Sequence, residues 1–119
     1  MKVKTFIATA LTALALPPLA GLLQSAAAAS PDLPTFQLEI ADGVLKPARI
    51  EVPAGQRIKI EVRNTGKSAA EFESVQLRKE TVLAPGAQSF VVIAPLAPGQ
   101  YKFFDDFHQA TAQGVIVAK

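Results

Sequence analysis

Short turn segments that end in glycine divide this chain into pieces of strand length. Glycine adopts the positive φ angle that tight reversals require, and proline presets the backbone of a neighbouring position. Between these turns apolar and polar residues alternate, as in the segment 58–63, where Ile58, Ile60 and Val62 alternate with charged residues. This period of two is typical of half-buried strands, and no window shows a comparable helical period. The turns are Ala41–Gly43, Pro53–Gly55, Asn64–Gly66, Ala84–Gly86 and Ala97–Gly99.

About seven strand segments lie between or beside these turns, which predicts an all-β fold, a small Greek-key β-sandwich. Residues 107–113 contain few β-branched side chains, which favours a loop or a short helix there. The predicted strands are Phe36–Ile40, Arg49–Val52, Ile58–Arg63, Phe72–Leu77, Ser89–Ile93, Gln100–Phe104 and Val115–Val117.

The first 29 residues have the pattern of a secretory signal peptide. Lys2 and Lys4 precede an apolar run at Phe6–Leu16, and the small residues Ala26–Ala29 suit a signal peptidase. Cleavage is expected before Ser30. The domain organisation is then a signal peptide helix at 1–29 and one folded domain at 30–119.

This leader predicts a periplasmic protein without a stable membrane anchor after cleavage. Pro17 and Pro18 interrupt the apolar run, which is shorter than the roughly twenty residues that a spanning helix needs. Retention as an uncleaved anchor is the alternative. The absence of cysteine excludes a lipid-modified cysteine at the cleavage site.

The composition of residues 30–119 excludes several classes of function. Without Lys2 and Lys4, acidic and basic residues are equal in number and mixed along the strands, so no basic surface for nucleic acid is expected. With no cysteine, the chain can form neither a disulfide, nor a thiolate metal site, nor a cysteine nucleophile. A domain of this size also has a modest core, which argues against an enzyme with a deep pocket.

The segment 71–77 carries two glutamates next to a core aromatic. Strand parity places Glu71, Glu73, Val75 and Leu77 on one face and Phe72 on the other. Taking Val75 and Leu77 as the core pair predicts that the two glutamates face inward. The opposite arrangement, with Phe72 buried and the glutamates exposed, stays open at this point.

A second segment, 101–108, places a carboxylate on an inward face. Tyr101, Phe103 and Asp105 share that face by parity, and a buried carboxylate needs a cation, a metal or hydrogen-bond donors. His108 follows three residues later and can supply an imidazole ligand.

Together these segments suggest a metal site of Glu71, Asp105 and His108, with Glu73 or Asp106 as auxiliaries. Oxygen donors with one nitrogen suit iron, manganese or Cu(II) better than Cu(I), which prefers sulfur. The alternatives are a surface histidine paired with an acid, and glutamates neutralised by nearby cations. Those cations are Arg78, Lys79 and Lys102.

Several of these segments resemble the cupredoxins. Tyr101–His108 followed by Gly114–Val117 resembles the penultimate strand, ligand loop and last strand of that family, and Asn64–Gly66 resembles the loop before its first histidine ligand. Pro47–Gly55 and Ala70–Ser74 resemble most closely the cupredoxin-like module of EfeO-type and Ftr-type bacterial iron-uptake proteins.

The resemblance implies which residues occupy the family's ligand positions. Blue-copper proteins have His, Cys, His and usually Met there, whereas this chain has Glu71, Asp105, His108 and approximately Gln113. A type 1 copper centre depends on a thiolate and two histidines, and this chain has no cysteine and one histidine. The resemblance further implies an iron or copper ion as cofactor, and as partners an inner-membrane iron permease and other periplasmic uptake components.

The resulting hypothesis is a metal-binding protein of iron uptake in which Glu71 and Asp105 favour Fe(III) and His108 completes the ligand set. Oxidation of Fe(II), a ferroxidase-like activity, is a separate hypothesis. The rival from another class is an interaction scaffold that docks a permease and binds no metal. A hydrolytic enzyme has little support, because no serine stands in a recognisable arrangement with the single histidine.

Overall fold

A computed structural model describes residues 12–15 and 32–119 of the chain. Apart from Thr12–Ala15, the predicted signal peptide lies outside the described residues, so its helix and cleavage stay predictions. Within the described ranges, no helix has both the length and the apolar character needed to cross a membrane.

Residues 32–119 contain nine β-strands in two mixed sheets. One sheet has the order β2-β1-β4-β7, and the other has the order β3-β9-β8-β5-β6. The strands are β1 (Thr35–Ala41), β2 (Val44–Lys46), β3 (Arg49–Val52), β4 (Ile58–Asn64), β5 (Ala70–Ser74), β6 (Lys79–Leu83), β7 (Gln88–Ile93), β8 (Gly99–Asp105) and β9 (Gln113–Ala118).

The alternating pattern of the sequence forms the core of this sandwich. On β4, Ile58, Ile60 and Val62 are fully buried, and Leu38 and Ile40 of the parallel neighbour β1 are buried beside them. Burying such side chains stabilises the fold by roughly 1.5–3 kcal/mol each. The predicted all-β sandwich is therefore confirmed.

Two phenylalanines form the centre of the second sheet's inner face. Phe72 of β5 and Phe103 of β8 are fully buried, and their rings stack with centroids 5.4 Å apart. Gly114 lies opposite Phe103 in the β8–β9 register, and a Cβ atom at Gly114 would overlap the Phe103 ring. The glycine therefore makes room for the aromatic pair.

The prediction of about seven strands missed two. Both β2 and β6 lie at an edge of their sheet, and both are short or rich in charged residues. Edge strands have this character because it discourages pairing with other chains, and it also weakens their alternating pattern. The segment predicted to be a loop or short helix contains a single-turn 3-10 helix at Asp106–His108, as expected.

Candidate metal site

Asp105 is the last residue of β8, and its carboxylate points into the protein. The residue is fully buried, and its Oδ1 accepts hydrogen bonds from the backbone N–H of Glu71 at 2.9 Å and of Phe107 at 3.1 Å. Its Oδ2 lies 2.8 Å from Nδ1 of His108. The inward orientation predicted from strand parity is confirmed, and the partners of this carboxylate are N–H groups of the protein itself.

His108 lies on the 3-10 helix, and its ring extends from Asp105 towards the loop between β4 and β5. The backbone carbonyl of His108 accepts hydrogen bonds from the N–H groups of Thr111 and Ala112, which fold the loop back on itself. Nε2 of the ring lies 3.4 Å from Oγ of Ser68. The side chain of His108 retains 29% of its exposure, so solvent reaches the ring.

Asp42 completes a chain of polar groups at this end of the sandwich. Its Oδ1 accepts hydrogen bonds from Oγ of Ser68 at 2.7 Å and from the N–H of Ser68 at 2.9 Å. The backbone N–H of Lys67 donates to the same carboxylate. Hydrogen bonds from the hydroxyl and the N–H of Ser68, then from the N–H of Lys67, hold the pKa of Asp42 below its usual range.

Local sequence explains why these groups meet. Asp42 and Gly43 form the two-residue turn of the β1–β2 hairpin, and both have positive φ, as such turns require. The buried Asn64 donates to the carbonyl of Ser68 and accepts from the N–H of Gly66, which shapes the loop that carries Ser68. Both turns are recognisable in the sequence, but no sequence pattern marks Asp42 or Ser68 as a site residue.

A second group of carboxylates lies on the outer side of the same strand ends. Glu71, Glu73 and Asp106 are half-buried, and one ligand oxygen from each lies within 4.8 Å of the others. Among residues 12–15 and 32–119, no other trio of acidic, histidine or cysteine side chains is brought this close together. Glu80 lies opposite Glu73 in the β5–β6 register and adds a fourth negative charge nearby.

The predicted orientation of β5 was wrong. Phe72 and Ser74 face the core, the two glutamates face outward, and Val75 is 70% exposed. The strand ends at Ser74, so Val75 belongs to the following turn and gives no information about strand parity. The alternative that the sequence left open, with Phe72 buried, is the observed one.

The outer carboxylates repel one another. Desolvation, followed by the negative charge of Asp106, raises the pKa of Glu73 above its ordinary range. The pKa of Glu71 is raised by the same two causes in the same order, with a further contribution from Glu73. The cluster is therefore an electrostatic cost that a bound cation would relieve.

The raised pKa values of Glu71 and Glu73 predict a pH dependence of stability. Because the folded state binds these protons more tightly than the unfolded chain, stability falls as pH rises from the ordinary glutamate range through the raised pKa values. We expect Glu73→Gln to raise the melting temperature slightly near neutral pH and to give no gain below that range, as measured by circular dichroism. Exposure keeps the effect small through solvent screening.

Glu61→Gln is the matched control. Hydrogen bonds from Gln37 and Lys59 lower the pKa of Glu61, so its removal should lower the melting temperature near neutral pH. Equal effects of the Glu61 and Glu73 substitutions would contradict this account.

The five predicted metal-site residues thus divide into two groups. Asp105 and His108 form an inner pair, whereas Glu71, Glu73 and Asp106 form the outer cluster. Glu71 reaches Asp105 through its backbone N–H and not through its carboxylate. Metal binding by any of the five stays a prediction.

The cations proposed as alternative partners of the glutamates do not pair with them. None of the ion pairs within residues 32–119 involves the outer cluster. Neutralisation of Glu71 and Glu73 by Arg78, Lys79 or Lys102 is therefore not observed.

The structure brings a serine to the single histidine, an arrangement that the sequence did not predict. Ser68, His108 and Asp105 follow one another in the order of a hydrolase triad. The Ser68 hydroxyl, however, donates its hydrogen bond to the carboxylate of Asp42. The negative charge of Asp42 would also oppose the negative charge that develops on the carbonyl oxygen of a substrate attacked by Ser68. The arrangement therefore does not favour nucleophilic catalysis.

Comparison with known proteins identifies the fold family. The chain is 38% identical over 81 residues to "Uncharacterized protein RP394" of Rickettsia prowazekii (strain Madrid E). That alignment covers 68% of this chain and 65% of the relative's length, so the chain spans less than two thirds of the relative.

Solved copper proteins share the architecture. Reduced auracyanin from Roseiflexus castenholzii matches with a TM-score of 0.61 and 18% identity, covering 71% of this chain and 96% of auracyanin. The metal-binding domain, with Cu(I), of the Cu(I)-exporting P-type ATPase CopA of Streptococcus pneumoniae D39 matches with a TM-score of 0.63 and 14% identity, covering 71% and 84%. At these identities the likeness shows the fold. The cupredoxin-like domain family matches residues 10–118, and the chain belongs to that family.

Proposed function

We propose that this protein binds iron in the periplasm and serves its uptake through an inner-membrane permease, with Glu71, Glu73 and Asp106 as the ligand cluster. The observation that carries the proposal is the convergence of three carboxylates within 4.8 Å, without a basic side chain paired to them in the described part of the chain. Periplasmic location rests on the predicted leader, and the role in uptake rests on the resemblance to EfeO-type and Ftr-type proteins.

The spacing of the cluster suits a shared cation. Oxygens on opposite sides of a small, hard cation lie about 4.2 Å apart, because each metal–oxygen bond is about 2.1 Å long. The glutamate side chains are half-buried and not enclosed, so a small change in their side-chain torsions would close the remaining distance. Three anionic oxygens favour a highly charged cation, which supports Fe(III) over Fe(II) as cargo.

Type 1 copper, which the fold family suggests, does not fit the residues present. The chain has no cysteine and one histidine. Asp105, at the position that the resemblance matches to the cysteine ligand, already accepts hydrogen bonds from two backbone N–H groups and contacts the ring of His108. A fully buried carboxylate with these partners cannot replace a thiolate in a blue-copper centre.

Competition between ferric citrate and the purified protein tests the iron site. We expect the protein to retain about one Fe(III) per chain in equilibrium dialysis. Glu71→Gln and Asp106→Asn should each weaken retention about tenfold, because affinity follows the number of charged ligands. Glu39→Gln, which removes an exposed glutamate from β1 in the other sheet, is the matched control and should leave retention unchanged. Retention that is equal in all variants would reject the cluster as the site.

Selectivity is measured in the same dialysis. Excess Mg²⁺ or Ca²⁺ should not displace the iron. Displacement would leave a general cation site and remove the argument for iron. Oxygen consumption with Fe(II), compared with a protein-free blank, tests the ferroxidase-like hypothesis separately.

A second candidate function is the permease-docking scaffold without metal. Phe107 is 49% exposed and follows Asp106 directly, which places an apolar ring beside the acidic cluster. Under this alternative Phe107→Ala weakens co-purification with the permease, and the protein retains no iron above background. Iron retention by the wild-type protein would decide against it.

A further inference from the structure

A groove lies on the outer face of the sheet β3-β9-β8-β5-β6, on the side away from the core. It consists of two adjoining cavities of about 480 Å³ and about 360 Å³, and Gln76, Lys102 and Gln113 line both of them. Val115 adds apolar surface to the larger cavity, and Phe104 adds it to the smaller one. Cavities of this size are typical of sites for small molecules.

The groove begins where β5 ends beside β8. The ladder between these strands holds only two residue pairs, because β5 stops at Ser74 while β8 extends back to Gly99. Side chains replace the missing strand at Lys102. Its N–H donates to Oε1 of Gln76 at 2.9 Å, and its carbonyl accepts a hydrogen bond from Oγ of Ser74 at 2.7 Å. Both Lys102 and the amide of Gln76 are therefore fixed in place.

The two glutamines that line both cavities offer opposite polar atoms to a ligand. A backbone N–H can only donate, so the atom of Gln76 that faces Lys102 is oxygen, and the NH₂ group remains as a donor. In Gln113 the nitrogen is the atom in use, because Nε2 donates to the carbonyl of Gln109 at 2.7 Å. Oε1 of Gln113 therefore remains as an acceptor.

Lys102 brings a positive charge to the groove. None of the ion pairs within residues 32–119 includes this side chain. In the β8–β9 register Val115 lies opposite Lys102, and Phe104 lies opposite Gln113, so apolar surface adjoins each polar group. The groove thus combines a cation, an amide donor, an amide acceptor and an apolar floor.

We propose that this groove binds a small hydroxycarboxylate with an apolar side chain. Lys102 and Nε2 of Gln76 donate to the carboxylate, and Oε1 of Gln113 accepts a hydrogen bond from the hydroxyl. A neutral acceptor suits a hydroxyl better than an ammonium group, which favours an ionised partner. The groove shares no residue with the iron cluster proposed above, so the two proposals stand or fall separately.

A set of related compounds tests the ligand class in an NMR titration of the purified, ¹⁵N-labelled protein. We expect 3-phenyllactate to shift the resonances of Gln76, Lys102 and Gln113 saturably, with a Kd on the order of 1 mM. Its methyl ester lacks the charge and 3-phenylpropionate lacks the hydroxyl, so each should bind about fivefold more weakly or worse. No saturable shift, or equal affinity for the three compounds, would overturn the proposal.

Two substitutions test the donors without removing the contacts that fix them. Gln76→Glu keeps an acceptor for the N–H of Lys102 and replaces the NH₂ group by a negative oxygen. Lys102→Met keeps most of the hydrocarbon chain and removes the charge. Each should weaken binding of 3-phenyllactate about tenfold or more.

Lys67→Met is the matched control, because it removes an exposed lysine from the loop between β4 and β5 and should leave the affinity unchanged. Binding that survives both Gln76→Glu and Lys102→Met, or that falls equally in Lys67→Met, would contradict the site. Circular dichroism checks that each variant is folded. If a variant does not fold, the comparison of the three compounds on the wild-type protein still decides the proposal.

Discussion

Asp105→Ala should lower the free energy of unfolding by about 3 kcal/mol or more, one of the two largest effects expected of a single substitution in this protein. The substitution removes the acceptor of the N–H groups of Glu71 and Phe107 and the partner of Nδ1 of His108. Because the Asp105 carboxylate is fully buried, its removal leaves these donors without their acceptor inside the protein.

Urea unfolding measures this effect, and the next residue supplies the control. Asp106 is half-buried and belongs to the mutually repelling outer cluster. Asp106→Ala should therefore change stability by less than about 0.5 kcal/mol, or raise it slightly. A loss of stability from Asp105→Ala as small as that from Asp106→Ala would show that the buried hydrogen bonds of Asp105 contribute little.

Phe72→Ala should lower the free energy of unfolding by about 3–5 kcal/mol. Phe72 is fully buried and stacks on Phe103 with centroids 5.4 Å apart, so truncation leaves a cavity in the centre of the sandwich. The substitution also tests the orientation of β5, because the opposite orientation would place Phe72 at the surface.

Val75→Ala is the counterpart in the same unfolding experiment. Val75 was expected in the core and is 70% exposed in the structure. Its truncation should cost less than about 0.5 kcal/mol. A larger loss from Val75→Ala than from Phe72→Ala would support the orientation first predicted from the sequence.

The ends of β8 and β5 show where strand parity predicts the orientation of a side chain and where it does not. On β8 the parity of Tyr101, Phe103 and Asp105 extends along seven residues of regular strand, so the inward carboxylate could be predicted. On β5 the strand has five residues, and the prediction depended on Val75, which lies in a turn. Parity is informative only where the strand continues, and the sequence did not show that β5 ends at Ser74.

The hydrogen-bonded series of Asp42, Ser68, His108 and Asp105 could not be predicted from the sequence. Ser68 is 26 residues from Asp42 and 40 residues from His108 along the chain. These groups come together because the β1–β2 turn, the β4–β5 loop and the loop after β8 lie at the same end of the sandwich. No local pattern marks Asp42 or Ser68 as more than a turn residue and a loop residue.

The amino-acid sequence alone determined the layered β architecture, the inward carboxylate of Asp105 and the exclusion of a blue-copper centre. These properties follow from short-range alternation and from which residue types are present. Only the tertiary structure decided that Phe72 is buried instead of the glutamates, and that His108 lies between Asp105 and Ser68. Both outcomes depend on contacts between strands and loops far apart in the chain, where packing and hydrogen-bond satisfaction, and not local periodicity, select the arrangement.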